Sequence, residues 1–388
     1  MKIWLSNTVI FAPSYFDFVS TYCESITVKD LMKRLIVLHS VSLDTKSAYF
    51  VEFNEGDNPY NVRKYSLLQV SQKAHSKYLY IMSLDDFISY CDSLDVAWRR
   101  VVWLSHSARC GSTLWGQIFN ALPDWGVVSE SSFADHILIY ERPTEDLIAY
   151  SKSSEFGRIA VAGFKFHVSR FRDDQSVLFK TSSLDSHILP HIHLYFTNMT
   201  VLHAYRNALP SAKCWYNSSL SSMTQALPVD YMHKRISDVE NRREYILTEI
   251  FDLYSQAMLK TKSVIDKLRP EGLFEWYLFL WCSFNDAICD AERNGIKVKY
   301  LKYESLMEDK ETYIRKLFDY LDIHQELVMS GLKVTETDSQ ADTFFSHESR
   351  KFNKQWTRTE EAVRRGNLIL NGMGYPDLDG DFVFENTL

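Results

Sequence analysis

The chain has 388 residues, 46% hydrophobic and 24% charged, the balance of a globular protein with a sizeable core. Its formal net charge is −7 with no basic tail, which argues against a general nucleic-acid binder and leaves room for a local basic cleft. No apolar stretch reaches the roughly 18–20 residues of a membrane span, and Ser6, Asn7 and Thr8 break up any signal-peptide core.

Residues 1–96 show short β-like runs at 35–41, 48–53 and 79–82 and a helix-like run at 84–90. They carry no motif. They are expected to form an N-terminal α+β extension, with packing on the core preferred to a partner or substrate module. From residue 97 to 388 strand and helix patterns alternate. Strands are predicted at 101–105, 126–129, 159–166, 176–181, 199–205 and 297–302, and helices at 112–122 and 133–150. This alternation predicts an α/β domain, a parallel central sheet flanked by helices. Ligands of such sheets bind beyond the strands' carboxyl ends. Arg109, Glu130, Lys180 and Arg206 each follow a predicted strand and are expected along that edge. A helical insert is predicted at about 218–293, with periodic runs at 243–253 and 256–268. The aromatic stripe at 274–291 reads as core before it reads as the wall of an acceptor pocket.

The most informative segment is His106-Ser107-Ala108-Arg109-Cys110-Gly111-Ser112-Thr113-Leu114. An apolar strand precedes it and an amphipathic helix follows. That order points backbone N–H groups and a positive helix end at an anion. Arg109 adds a cation, and Ser112 and Thr113 add hydroxyl donors. The loop differs from the nucleotide triphosphatase loop, which needs a Lys after its second Gly. Here Ser112 follows Gly111 directly, and no convincing Mg²⁺-binding pair is present. The loop resembles the 5′-phosphosulfate loop of the sulfotransferases, which use 3′-phosphoadenosine-5′-phosphosulfate (PAPS) as sulfo donor.

Other segments extend the resemblance in the same order along about residues 101–323. Arg206-Asn207 closes a predicted strand, as the family's Arg-Asp/Asn-Pro does. The family's Ser, eight residues after the Arg, is Cys214 here, with Ser211 nearby, and the Pro position is Ala208. Tyr303-Glu304-Ser305-Leu306 is similar to the family's Tyr-Glu-Asp-Leu and is expected to be scaffold. Lys180 matches the Lys that contacts the sulfo group in the cytosolic branch and is preferred to Lys165. The His two residues on is Ser182 here, so the usual base is missing. Other branches use a Glu in Ser-Glu-Pro, and Ser129-Glu130-Ser131 places Glu130 as the candidate base. Its alternative role is charge at a helix N-terminus. His106 and His136 are reserve candidates. Arg350 and Lys351 resemble the Arg-Lys-Gly segment that closes over the 3′-phosphate, and an exposed basic turn is the alternative. Trp356 and Gly374-Tyr375-Pro376 resemble the family's C-terminal end.

The resemblance implies a PAPS-dependent enzyme that releases adenosine 3′,5′-bisphosphate, needs no metal, and sulfates a hydroxyl or amine of a small molecule or carbohydrate. Cys110, Gly111, Ser112, Thr113 and Leu114 would line the 5′ end with Arg109, and Arg206 with Ser211 or Cys214 the 3′ end. The other reading is a non-catalytic PAPS-binding protein of the same fold that has lost its base. The six cysteines show no zinc or Cys-x-x-Cys spacing, so reduced thiols in a cytoplasmic protein are expected.

Overall fold

The computed structural model describes residues 3–5, 18–20, 25–131, 133, 153–182, 186, 188–226, 259–341, 346 and 356–388. Ten strands are labelled in chain order: β1 Ile3–Leu5, β2 Phe18–Ser20, β3 Ile36–Ser42, β4 Ser47–Phe53, β5 Ser76–Ser83, β6 Val101–His106, β7 Trp125–Ser129, β8 Ser176–Lys180, β9 Thr200–Tyr205 and β10 Val298–Lys302. The central sheet has five strands in the order β10-β9-β6-β8-β7. β6, β8 and β7 pair in parallel, with Leu104 and Ser129 both in register with Lys180. After β6 the chain builds one side of the sheet and then the other, so β6 is the switch strand, the place where α/β sheets bind ligands. These strands are buried almost end to end, as parallel strands covered on both faces should be.

The chain divides into two compact units, one of residues 1–104 and 113–201, the other of residues 105–112 and 202–388. In the first unit, β3, β4 and β5 form an antiparallel sheet that accounts for the β-like runs near the N-terminus. Helix Leu84–Asp92 follows, capped by Ser83, whose hydroxyl accepts from the Asp86 N–H. Helix Ser154–Val168 joins the two sheets: its Phe166 ring meets Phe50 of β4 at 5.2 Å, and its Phe164 ring meets Phe179 of β8 at 4.4 Å. Trp103 of β6 stacks on Phe164 and Phe179 in the same core.

This helix corrects one expectation. Residues 159–166 were predicted as a strand and lie inside helix Ser154–Val168. The helix is buried on nearly every side, so its apolar residues run without a polar face and mimic a buried strand. Gly163 and Gly157 give it away, because a Cβ at either would run into the rings of Phe133 and His191. Of the predicted helix at 133–150, all but Phe133 lies outside the described residues.

In the second unit, helix Ala208–Ala226 follows β9, with Pro210 in its first turn, where no N–H is needed. Helix Leu273–Arg293 carries the aromatic stripe. Trp281, Phe279 and Phe284 are buried, which makes the stripe chiefly core. Helix Leu259–Leu268 matches the end of the predicted 256–268 run, while 243–253 lies outside the described residues. Helix Tyr303–Glu308 follows β10 directly. Among the described residues no helix is long and apolar enough to cross a membrane.

Candidate functional site

In the second unit, the 105–112 loop leaves β6 through a tight turn. Ala108, Arg109 and Gly111 have φ of 60°, 51° and 81°, all left-handed. For Ala and Arg that conformation costs on the order of 1–2 kcal/mol each, strain of the kind found at ligand loops. The turn is held from within and from β9. The Ala108 N–H donates to His106 Nδ1 at 3.1 Å, the Ser107 N–H to the Ala204 carbonyl at 2.9 Å, and the Cys110 thiol to the same carbonyl at 3.1 Å. His106, buried with Nδ1 as acceptor, shapes the loop. Helix Ser112–Asn120 starts at the loop's end, with Ser112 and Thr113 buried in its first turn and Leu114 half-buried. The Ser107 hydroxyl is buried and has no hydrogen-bond partner among the described residues.

Helix Ala208–Ala226 braces this loop. Ser211 donates to the Ala108 carbonyl at 3.1 Å, and Arg109 Nε lies 3.3 Å from Cys214 Sγ. Both residues expected near the 3′-phosphate thus touch the 5′ loop.

Arg206 shares this neighbourhood. Its guanidinium lies 4.5 Å over the Tyr303 ring, and the same ring abuts Gly111, where an added Cβ would sit 2.7 Å from Tyr303 Cδ2. One aromatic ring therefore separates the Arg109–Ser112 turn from Arg206. Arg206 Nε is buried without a hydrogen-bond partner among the described residues, and the carboxylate it faces, Glu304 Oε1, stands 3.8 Å away. Its own carbonyl accepts from the Trp281 indole at 2.8 Å. A cation held by stacking, with a buried Nε that makes no hydrogen bond among the described residues, is suited to an external anion.

The first unit brings together Lys180 and Glu130. Lys180 ends β8 and is fully buried, and its ammonium pairs with the Glu130 carboxylate, 13% exposed. The Glu130 N–H donates to the Lys180 carbonyl at 2.7 Å, and Glu130 is left-handed at φ 53°. The turn is pinned on both flanks. Ser129 donates to the Ser66 carbonyl at 2.7 Å, and the Ser131 hydroxyl meets His167 Nε2 at 2.7 Å. His167 also meets the Tyr60 hydroxyl at 3.1 Å. Burial pushes His167 down to about 3, so this histidine is neutral. Lys165 is elsewhere, buried 4.7 Å over the Tyr195 ring. His136, Arg350 and Lys351 lie outside the described residues.

Of the six non-glycine residues with positive φ among the described residues, three (Ala108, Arg109 and Glu130) are in these two turns, so backbone strain falls where chemistry was expected. Each turn also involves residues that the sequence did not single out for ligand binding. Tyr303 was expected as scaffold and is the platform for Arg206. Ser107 carried no pattern of its own. At the Glu130 turn, Tyr60 and Ser66 come from residues 1–96, which carry no motif.

No family model and no curated protein sequence matches the chain. Among solved structures, a sulfotransferase from Alicyclobacillus acidocaldarius aligns at 13% identity over 58% of this chain and 82% of its own, with a TM-score of 0.35. Sulfotransferase STF9 from Mycobacterium avium aligns at 10% identity over 86% of this chain and 96% of its own, with a TM-score of 0.42. At this level of likeness neither carries an activity over to this chain.

Proposed function

We propose that the protein is a sulfotransferase that moves a sulfo group from PAPS to a hydroxyl or amine of a small-molecule or carbohydrate acceptor. The observation that carries this reading is the meeting of two elements at Tyr303: the strained loop that bears Arg109, whose Gly111 abuts the ring, and Arg206, stacked on the ring with its Nε buried and without a hydrogen bond among the described residues. Two phosphate-type sites so disposed fit a nucleoside with phosphates at both ends of its ribose. The buried, unpartnered Ser107 hydroxyl adds a donor on the loop.

In this reading the Arg109–Leu114 turn holds the 5′-phosphosulfate and Arg206 the 3′-phosphate, with Ser211 and Cys214 fastening the loop to helix Ala208–Ala226. Arg350 and Lys351 are retained as clamps on the 3′ end. PAPS supplies an activated sulfo group, whose S–O bond to the 5′-phosphate breaks as the acceptor bonds to sulfur. Glu130 takes the acceptor's proton. Once protonated, it no longer balances Lys180, and the buried ammonium is left to offset negative charge on the departing phosphate. Arg109 stabilises the same charge, so protein cations do the neutralising. The five described cysteines are free thiols, which suits a reducing, cytoplasmic setting.

Two variants test the assignment. Arg109→Ala should reduce transfer at least a hundredfold while the thermal midpoint stays within a few degrees, and activity within a few-fold of wild type would remove Arg109 from the mechanism. Glu130→Gln should abolish turnover and leave PAPS affinity intact. Unchanged turnover would transfer the base role to another residue, and a wild-type chain that binds PAPS without turnover would favour the non-catalytic reading.

A further inference from the structure

Arg206 Nε makes no hydrogen bond among the described residues and stands 3.8 Å from the Glu304 carboxylate, while the main chain around it is tied down: the Asn207 N–H donates to Glu304 Oε1 at 3.1 Å, and the other ties lead to the C-terminal segment 381–388. Tyr205 precedes Arg206. Its hydroxyl meets Thr387 Oγ1 at 2.8 Å, and its ring packs on Phe384 at 4.8 Å. Arg206's carbonyl takes the indole of Trp281, whose ring packs on Phe382 at 5.7 Å. Asn207 follows, and both ends of its amide are used. Nδ2 donates to Asp381 Oδ1 at 2.9 Å, and Oδ1 accepts from the Phe382 N–H at 3.1 Å. A carboxylate at one end and an N–H at the other fix the amide's orientation.

Asp381 is itself anchored. The Lys302 ammonium, at the end of β10, pairs with it. Lys302 and Asn207 hold its carboxyl below the usual range, so it stays ionised and accepting. Beyond it the tail runs along β10. The Tyr300 N–H donates to the Asn386 carbonyl at 3.3 Å, and the Leu388 N–H to the Tyr300 carbonyl at 3.0 Å. Phe384 stacks on Tyr300 at 4.0 Å. The tail thus caps the outer edge of the sheet and presents Asp381 and Phe382 to the turn that carries Arg206.

We propose that residues 381–387 form a strap that aims Arg206 at its anion, with Asp381 as a positioning residue acting through Asn207. The inference rests on the reading of Arg206 as the seat of a phosphate. It makes a counterintuitive prediction of sign. By charge alone, removing an aspartate beside an anion site strengthens anion binding. By positioning, removing it frees Asn207, loosens Arg206 and weakens binding.

The test compares adenosine 3′,5′-bisphosphate with adenosine 5′-monophosphate, which lacks the 3′-phosphate, by calorimetric titration on the full chain. Asp381→Ala should weaken the bisphosphate about tenfold and leave the monophosphate unchanged. Asp381→Asn keeps an acceptor for Asn207 and should restore affinity to within about threefold. In an Arg206→Ala background, Asp381→Ala should have no further effect, because its action passes through Arg206. If Asp381→Ala does not fold, Asn207→Ala leaves the Lys302 pair in place and should show the same selective loss. Selective wild-type binding with unchanged or tighter binding in these variants overturns the strap alone. Equal wild-type affinity for the two nucleotides overturns the donor reading, and the strap's role with it.

Discussion

At the scale of single residues, the site depends on how closely Tyr303 approaches Gly111. The glycine is needed twice, for its φ of 81° and because a Cβ would stand 2.7 Å from the ring. Gly111→Ala should therefore push Tyr303 and the Arg206 stacked on it. Bisphosphate affinity should fall at least tenfold and stability by about 1–3 kcal/mol. Titration and thermal melting read both, and an alanine variant with wild-type affinity would show that the ring does not set Arg206. The order of these residues was legible in the sequence, and Arg109, Glu130 and Arg206 each follow a strand as expected. What escaped was orientation. No pattern says that Ser211 turns toward the Ala108 carbonyl, that Cys214 meets Arg109, or that Glu130 is locked to Lys180. Such contacts join residues far apart in the chain and depend on the fold being closed.

At the scale of elements, the parallel strands were readable because burial on both faces leaves continuous apolar runs bounded by turns. The same signal misled at 159–166, where a helix surrounded by core has no polar stripe either. Two elements carry a buried neutral histidine, and they set a pH limit on the fold. His167, on helix Ser154–Val168, is pushed down to about 3, and His203, on β9, to about 4, both by desolvation. His203 lies between Ser105 Oγ at 2.9 Å and Asn285 Oδ1 at 3.0 Å, so Nε2 carries its proton. Because the folded values lie below the ordinary 6.5, the unfolded chain binds protons that the folded chain refuses as pH falls. Stability is full above about pH 6.5 and declines below it, by about 1.4 kcal/mol per pH unit for each histidine, or on the order of 4 kcal/mol for the two by pH 5. Denaturant unfolding at pH 7.5, 6 and 5 measures this. Equal stability at pH 7.5 and 5 would mean that neither ring is held neutral and buried in the native state.

At the scale of the whole molecule, the switch strand β6 leads into the loop, and strain, unbonded buried donors and cations gather around it. Composition gave no sign of this, since a net charge of −7 hides a few placed cations. Within the first unit, residues 1–96, opaque as sequence, supply Ser66 and Tyr60 to the support of the Glu130 turn. Their part was unreadable because a backbone carbonyl and a buried phenol carry no motif. The central claim concerns the second unit, where the Arg109 loop and Arg206 flank one ring, and ligand-induced stabilisation tests it most directly. At a hundredfold excess over its dissociation constant, adenosine 3′,5′-bisphosphate should stabilise the native state by about 2.7 kcal/mol, a rise of several degrees in the melting temperature. ATP and GTP should give little shift, and Arg206→Ala should remove the bisphosphate's effect. A bisphosphate shift no larger than that of ATP, or one that survives Arg206→Ala, would contradict the account.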